Sequence, residues 1–201
     1  MPAGFNTLHI WNMALSHVGS KSVIESQQDR SPAAQACNLW YPLSRVSTLE
    51  LHNWGFARCS QALAGHTVAA PTNRWAFRYQ VPSDCTSPRL IENPMGPDAP
   101  VIPFEKEQAS DGTDSIVTNA EAAVLIYTKD EDRVALMPLH FMQMVAIHLG
   151  HSICMELTGK TAIKDRLMRE WQAMAISAPA VDVNFGVGRE PLDASWIRER
   201  N

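Results

Sequence analysis

The chain is short of charge. Only 19% of its 201 residues are Asp, Glu, Lys or Arg, against roughly 25% in an average soluble domain. The shortage is local, because residues 1–20 carry no charged side chain and neither does the stretch from Leu139 to Ile153. A free surface depends on charge to stay solvated, so such stretches imply surface that something covers. Net charge is −4, and nothing in it suggests a protein that wraps nucleic acid, which usually carries a concentrated basic patch. A mildly acidic body would suit a channel that DNA passes without sticking, but it is first of all the ordinary charge of many cytosolic proteins. No GxxxxGK[ST], GxGxxG or nucleophile elbow occurs, so the familiar signatures of a phosphate cradle or an activated serine are absent. The four cysteines, Cys37, Cys59, Cys85 and Cys154, form no CxxC pair and match no zinc spacing. They read as reduced thiols, mostly buried, of a protein assembled in a reducing cytoplasm. The N-terminus lacks a basic region and an apolar run, so no signal peptide is expected. There are no internal repeats or heptads.

What is present reads as an α+β chain, mainly α: a helical bundle with a small antiparallel β subdomain and an extended C-terminal arm. Ile10, Ala14, Leu15 and Val18 fall at helical spacing and predict a first helix over 5–19, stopped by Gly19. Ser31-Pro32, an N-cap followed by proline at the first helical position, opens a second helix that runs to about His52. Its expected apolar stripe is Ala33, Ala36, Cys37, Trp40 and Leu51, with a kink or break near Tyr41 because Pro42 falls inside it. Candidate strands follow at 55–64, 75–82, 85–92, 100–105, 115–119 and 123–128. The prolines between residues 82 and 103 make a long regular strand there improbable, and Gly112 marks a turn. A third helix spans 138–158, with Gly159 just past its end. A fourth, capped by Thr161, runs to about Ala178 and is stopped by Pro179. The expected units are thus 1–60 and 136–178 for the helical domain, 61–135 for the β-rich subdomain, and 179–201 for the arm.

The third helix carries the strongest argument from residues alone. Met142, Val145, Ala146, Leu149, Ile153 and Leu157 make one apolar stripe. The opposite side reads His140, Met144, His148, His151 and Met155, where an outer helix would place charges. Three histidines and Gln143 argue against a membrane span, which needs about 20 mainly apolar residues. The expectation is a helix covered twice, once by its own core and once by another subunit or element, with those five residues as a subunit–subunit interface. The alternative is a single thick core that encloses the uncharged helices.

The chemical constellations are weak. His148, His151 and Cys154, with His140 nearby, have helical spacing, but there is no HExxH and no carboxylate placed to polarise water. No metal and no cofactor is expected. Glu50 lies nine residues before Cys59, in an order loosely similar to the Glu, then Asp or Cys, then Thr of phage-type lysozymes. The third element fails, because Gly65 stands where threonine should and Thr67 is two residues late. A cell-wall hydrolase associated with a phage tail is the alternative reading, and it would need two carboxylates flanking the scissile bond.

The succession of short motifs is more specific than any one of them. Asn12-Met13-Ala14-Leu15 is followed by Ala36-Cys37-Asn38-Leu39-Trp40-Tyr41-Pro42 and by Trp54-Gly55-Phe56-Ala57. Trp75, Tyr79, Pro82, Asp84 and Cys85 come next, then Ile126-Tyr127 and the helix from Pro138. In this order they resemble the head-to-tail adaptor family of short-tailed bacteriophages, also named tail tubular protein A or tail accessory factor. The resemblance covers about Asn12 through the fourth helix. The loop at 93–114 and the tail after Pro179 match nothing.

The resemblance implies a structural, non-enzymatic virion subunit at the head–tail interface, assembled in the host cytoplasm. It implies a dodecameric ring between the portal protein and the tail nozzle protein. The ring would extend a channel through which genomic DNA passes without sequence-specific binding, with no membrane partner. The helices would form the ring, with Trp40, Pro42, Trp54 and Phe56 as structural residues, and the strands would face the nozzle. Residues 180–201 would order only on binding the portal. Phe185, Leu192 and Trp196 would be the anchors, because an exposed indole in an arm is costly unless it docks.

Overall fold

The structure, a computed structural model, describes residues 4–70, 74–96 and 99–183. Among them the chain runs α1 (Thr7–His17), α2 (Pro32–Leu51), β1 (Arg58–Ala62), β2 (Phe77–Gln80), β3 (Cys85–Ile91), β4 (Phe104–Gln108), β5 (Asp114–Thr118), β6 (Val124–Lys129), α3 (Leu139–Thr158) and α4 (Thr161–Val183). Short 3-10 turns at Gly55–Ala57 and Val134–Leu136 join the helices to the strands. The fold is α+β and mainly α.

Local signals start and stop the helices. The Asn6 side chain accepts from the His9 amide at 3.2 Å, and the His9 ring accepts from the Asn6 amide at 3.2 Å, a reciprocal cap for α1. Ser31 accepts from the Ala34 amide at 3.3 Å, and Pro32 opens α2. Gly159 closes α3 in the left-handed region, φ +64°, its N–H donating to the Met155 carbonyl at 3.2 Å. Lys160, rather than Thr161, sits at the head of α4, because its carbonyl takes the first helical bond, from the Lys164 amide at 3.2 Å.

Both interior prolines are absorbed. α2 is continuous through Pro42, and α4 continues through Pro179 to Val183. Of the kink or break expected near Tyr41 the break is therefore excluded, and the predicted stop at Pro179 is corrected. Both rings are exposed, and the carbonyl that loses its N–H partner belongs to exposed Asn38 for Pro42 and to half-buried Ala175 for Pro179. Flanking residues hold the helix meanwhile, Tyr41 and Ser44 around Pro42 and the buried Ala178 before Pro179. Leu51 is also corrected: it is the last residue of α2 and exposed, where His52 turns the backbone extended. The expected Ala33, Ala36 and Cys37 are buried, and Ala34, Tyr41, Ser44, Arg45, Thr48 and Leu49 complete the buried side.

α3 is the hub of the bundle, and α1, α2 and α4 each pack against it. Gly150 explains how closely. A Cβ there would lie 3.3 Å from the Ala14 carbonyl oxygen, 3.4 Å from Leu167 Cδ1 and 3.6 Å from His17 Cβ. Only a bare backbone lets α1 and α4 approach α3 together. The resulting core includes Ile10, Leu15, Leu49, Trp54, Phe141 and Leu167.

The β part is two three-stranded antiparallel sheets, β1–β6–β3 and β2–β5–β4, rather than one. Its own cluster of buried side chains includes Tyr79, Ile91, Ile116, Leu125 and Tyr127. Pro88 falls inside β3, where register shifts between Cys85 and Ser87 and between Pro88 and Leu90 accommodate it. The strand expected at 100–105 begins only at Phe104. Pro100 and Pro103 lack an N–H, and only Ile102 makes an isolated bridge, to Ile91.

Arginines tie the sheet to the helices. Arg89 on β3 donates to the carbonyls of Leu49, Glu50 and His52 at 3.1, 3.2 and 2.8 Å, and to Thr128 at 2.8 Å. It thereby serves the carbonyls that α2 leaves unpaired at its C-terminus. Arg45 on α2 reaches across to the Asp130 carboxylate at 2.5 Å and the Glu131 carbonyl at 2.7 Å.

Candidate interaction surface

The motif residues are mostly clamps. Asn12 binds both sides of one residue in the following loop, donating to the Ile24 carbonyl and accepting from the Ile24 amide, each at 2.9 Å. Trp54 is fully buried, donates to the Thr48 carbonyl at 2.9 Å and meets Phe141 edge-on at 5.0 Å. Phe56 packs on the same Phe141 at 4.8 Å. Asp84 accepts the Tyr127 hydroxyl at 2.9 Å, and burial, with side-chain hydrogen bonds to Cys59 and Asp84, pushes the tyrosine pKa up. Trp40 is half-buried against the helical core.

The five residues expected to face a neighbouring subunit divide. Met144 is only 1% exposed and belongs to the chain's own core, which corrects its assignment to an outer face. His148 stacks on Trp171 of α4, centroids 4.6 Å apart and planes at 20°, and its Nδ1 lies 3.5 Å from the Ser44 carbonyl of α2. His151 lies 3.2 Å from the Lys164 carbonyl, and His140 lies against Trp54 at 5.5 Å. Met155 is exposed. Most of the charge-free side of α3 is therefore covered from within the chain, because α3 is surrounded on three sides. Phe185, Leu192 and Trp196 lie outside the described residues.

One stretch of uncovered apolar surface is on α2. From Ser31 to Ser44 the chain carries no charge, and on its outward side Leu39 is 64% and Leu43 57% exposed, with Pro42 exposed beside them. Sequence reading assigned α2 to the core through its alanines. It missed the second face, although Leu39 and Leu43 at four-residue spacing, off the alanine stripe, were the available signal.

The hydrolytic alternative finds no support in the geometry. Glu50 is exposed and lines neither of two surface hollows, of about 270 Å³ and about 510 Å³. The larger hollow holds a Thr–His–Asp contact, with His66 Nε2 2.7 Å from Thr113 Oγ1 and the Thr113 hydroxyl 2.6 Å from the Asp111 carboxylate. The direction is wrong for nucleophilic activation. His66 Nδ1 accepts from the Val68 amide at 3.0 Å, so Nε2 carries the proton and donates to Thr113, which in turn donates to Asp111. The imidazole has no free lone pair to take the threonine proton.

Among the described residues, no group of three His, Cys, Asp or Glu is placed to hold a metal ion, and no helix is long and apolar enough to cross a membrane. Cys37 and Cys154 are buried, Cys59 and Cys85 half-buried, and all four are free thiols. No protein-family model and no curated protein matches the chain.

Proposed function

We propose that the chain is a head-to-tail adaptor of a short-tailed bacteriophage, a structural ring subunit between the portal and the tail nozzle. One observation carries the reading. One of the three stretches that best resemble that family, Ala36 to Pro42, sits in the uncharged stretch of α2 and does two jobs. It buries Ala36, Cys37 and Tyr41 in the bundle while it exposes Leu39 and Pro42. An outward apolar half adds nothing to the chain's own core, whereas it suits a subunit of a larger assembly. The β part, with its separate core, is the piece that would meet the nozzle.

The test is co-assembly. Full-length chain mixed with portal rings of its own phage should migrate with them as one defined complex, with twelve copies per ring by native mass measurement. A chain ending at Val183, which keeps all of α4 and removes the arm with Phe185, Leu192 and Trp196, should bind the portal more weakly. Full-length chain that never migrates with the portal would overturn the proposal.

A further inference from the structure

Leu39 and Leu43 have a counterpart elsewhere on the molecule. The chain is also uncharged from Trp171 to Ala180 on α4. Ile176 is 84% exposed there, with exposed Ala180 one turn on. α2 and α4 each pack on α3 far more than on one another, so the two faces cannot cover each other within one chain.

The two faces match in shape and in charge when set antiparallel. Leu43 against Ile176 places Leu39 four residues back on α2 opposite Ala180 four residues on along α4, a large side chain against a small one. Seven residues from each centre, two full helical turns, lie Glu50 on α2 and Arg169 on α4. Both are exposed, and both are on the same side of their helices as the apolar centres. The opposite register or a parallel arrangement loses this coincidence, so the charged pair fixes one orientation.

We infer that the Leu39–Leu43 face of α2 in one copy docks on the Ile176–Ala180 face of α4 in a second copy, with Glu50 opposite Arg169. Because the two surfaces differ, a single contact is head-to-tail, and a pair of copies retains one free face of each kind. Repetition of it builds a closed ring or a filament, whereas both contacts closing reciprocally between two copies would stop at a covalent dimer. The contact deepens the adaptor reading by naming the surfaces through which its subunits join, but it rests on exposure and register and stands without a portal.

Cross-linking of the full chain decides it. The double variant Leu43→Cys with Ile176→Cys, oxidised at high protein concentration, should give a ladder of covalent oligomers that wild type and the two single variants lack. Glu50→Arg or Arg169→Glu in that background should weaken the ladder by about tenfold through like-charge contact, and the two reversals together should restore it. All these positions are exposed, so melting temperatures should stay at the wild-type value. Three outcomes overturn the inference. A dimer from Leu43→Cys alone would mean that α2 pairs with α2. A Leu43→Cys thiol shielded from maleimide without any inter-chain bond would mean that another part of the same chain covers it. A freely reactive thiol with no ladder would mean an open surface. If the ladder forms but the chain ignores portal rings, the adaptor reading fails and this contact survives. If portal binding proceeds equally in the charge-reversed chain with no ladder, the reverse holds.

Discussion

The imidazole of His148 lies flat on the indole of Trp171, with centroids 4.6 Å apart. One residue of α3 thus touches α4 while its Nδ1 faces the Ser44 carbonyl of α2. This contact shows why α3 needs no charges: α4 takes the place of solvent. Burial lowers the His148 pKa, with a smaller opposing contribution from the Ser44 carbonyl, and burial likewise lowers that of His17 on α1.

Those lowered values give a pH dependence of defined sign. Both rings favour the neutral form when folded, so the unfolded chain binds more protons as pH falls below the ordinary histidine value of about 6.5. The bundle should be at full stability above that value and lose stability as pH falls through the folded-state values. Melting curves from pH 8 to pH 5 should show this, and His148→Gln should flatten the slope. Replacing His148 by alanine should cost about 0.5–1.5 kcal/mol at neutral pH for the lost ring stacking.

Gly150→Ala tests the close approach of the three helices. Alanine is the better helix former by about 1 kcal/mol. Here its Cβ would press on the Ala14 carbonyl, which is backbone and cannot swing aside. Overpacking of this kind costs about 1–3 kcal/mol, so the net effect should be a lower melting temperature. An unchanged or higher value would show that α1 can retreat freely.

Arg89→Gln should uncouple the end of α2 from the sheet. The guanidinium serves three carbonyls and a hydroxyl at once, and losing hydrogen bonds from a charged donor costs about 1.5–3 kcal/mol. Arg89→Lys should rescue little, because one ammonium cannot reproduce the planar fork. Hydrogen exchange should speed up at the last turn of α2 and at β3, and much less in α1.

Glu131 governs behaviour in acid. Its carboxylate is paired with Arg133 at 2.6 and 2.7 Å, which lowers its pKa to about 2. A lowered carboxylate contributes stability that is fully present above the unfolded value and is lost as pH falls from there to about 2. Arg133→Ala should lower stability near pH 7, where the pairing contributes in full, and change it little near pH 2, so the fall of melting temperature with acid becomes shallower.

The sequence by itself determined the elements and their order, because the signals are local. Ser31-Pro32 and Gly159 act within one helical turn, and the strand-forming runs around Tyr79, Ile116 and Ile126 alternate or cluster within a few residues. It also located both interior prolines but misjudged their effect. Whether proline breaks a helix depends on what holds the flanking turns, and for Pro42 and Pro179 that is packing by residues distant in sequence. Tertiary structure alone decided that α3 lies at the centre, that Met144 faces inward, and that histidines expected to meet a sister copy meet α4 and Trp54. A charge-free face shows that something excludes water there. It cannot show whether the cover is another helix of the same chain or a second molecule, because both remove the same solvent. For most of α3 the cover is internal, while Leu139 and Met155 stay exposed. For Leu39 and Leu43 on α2 nothing among the described residues supplies it.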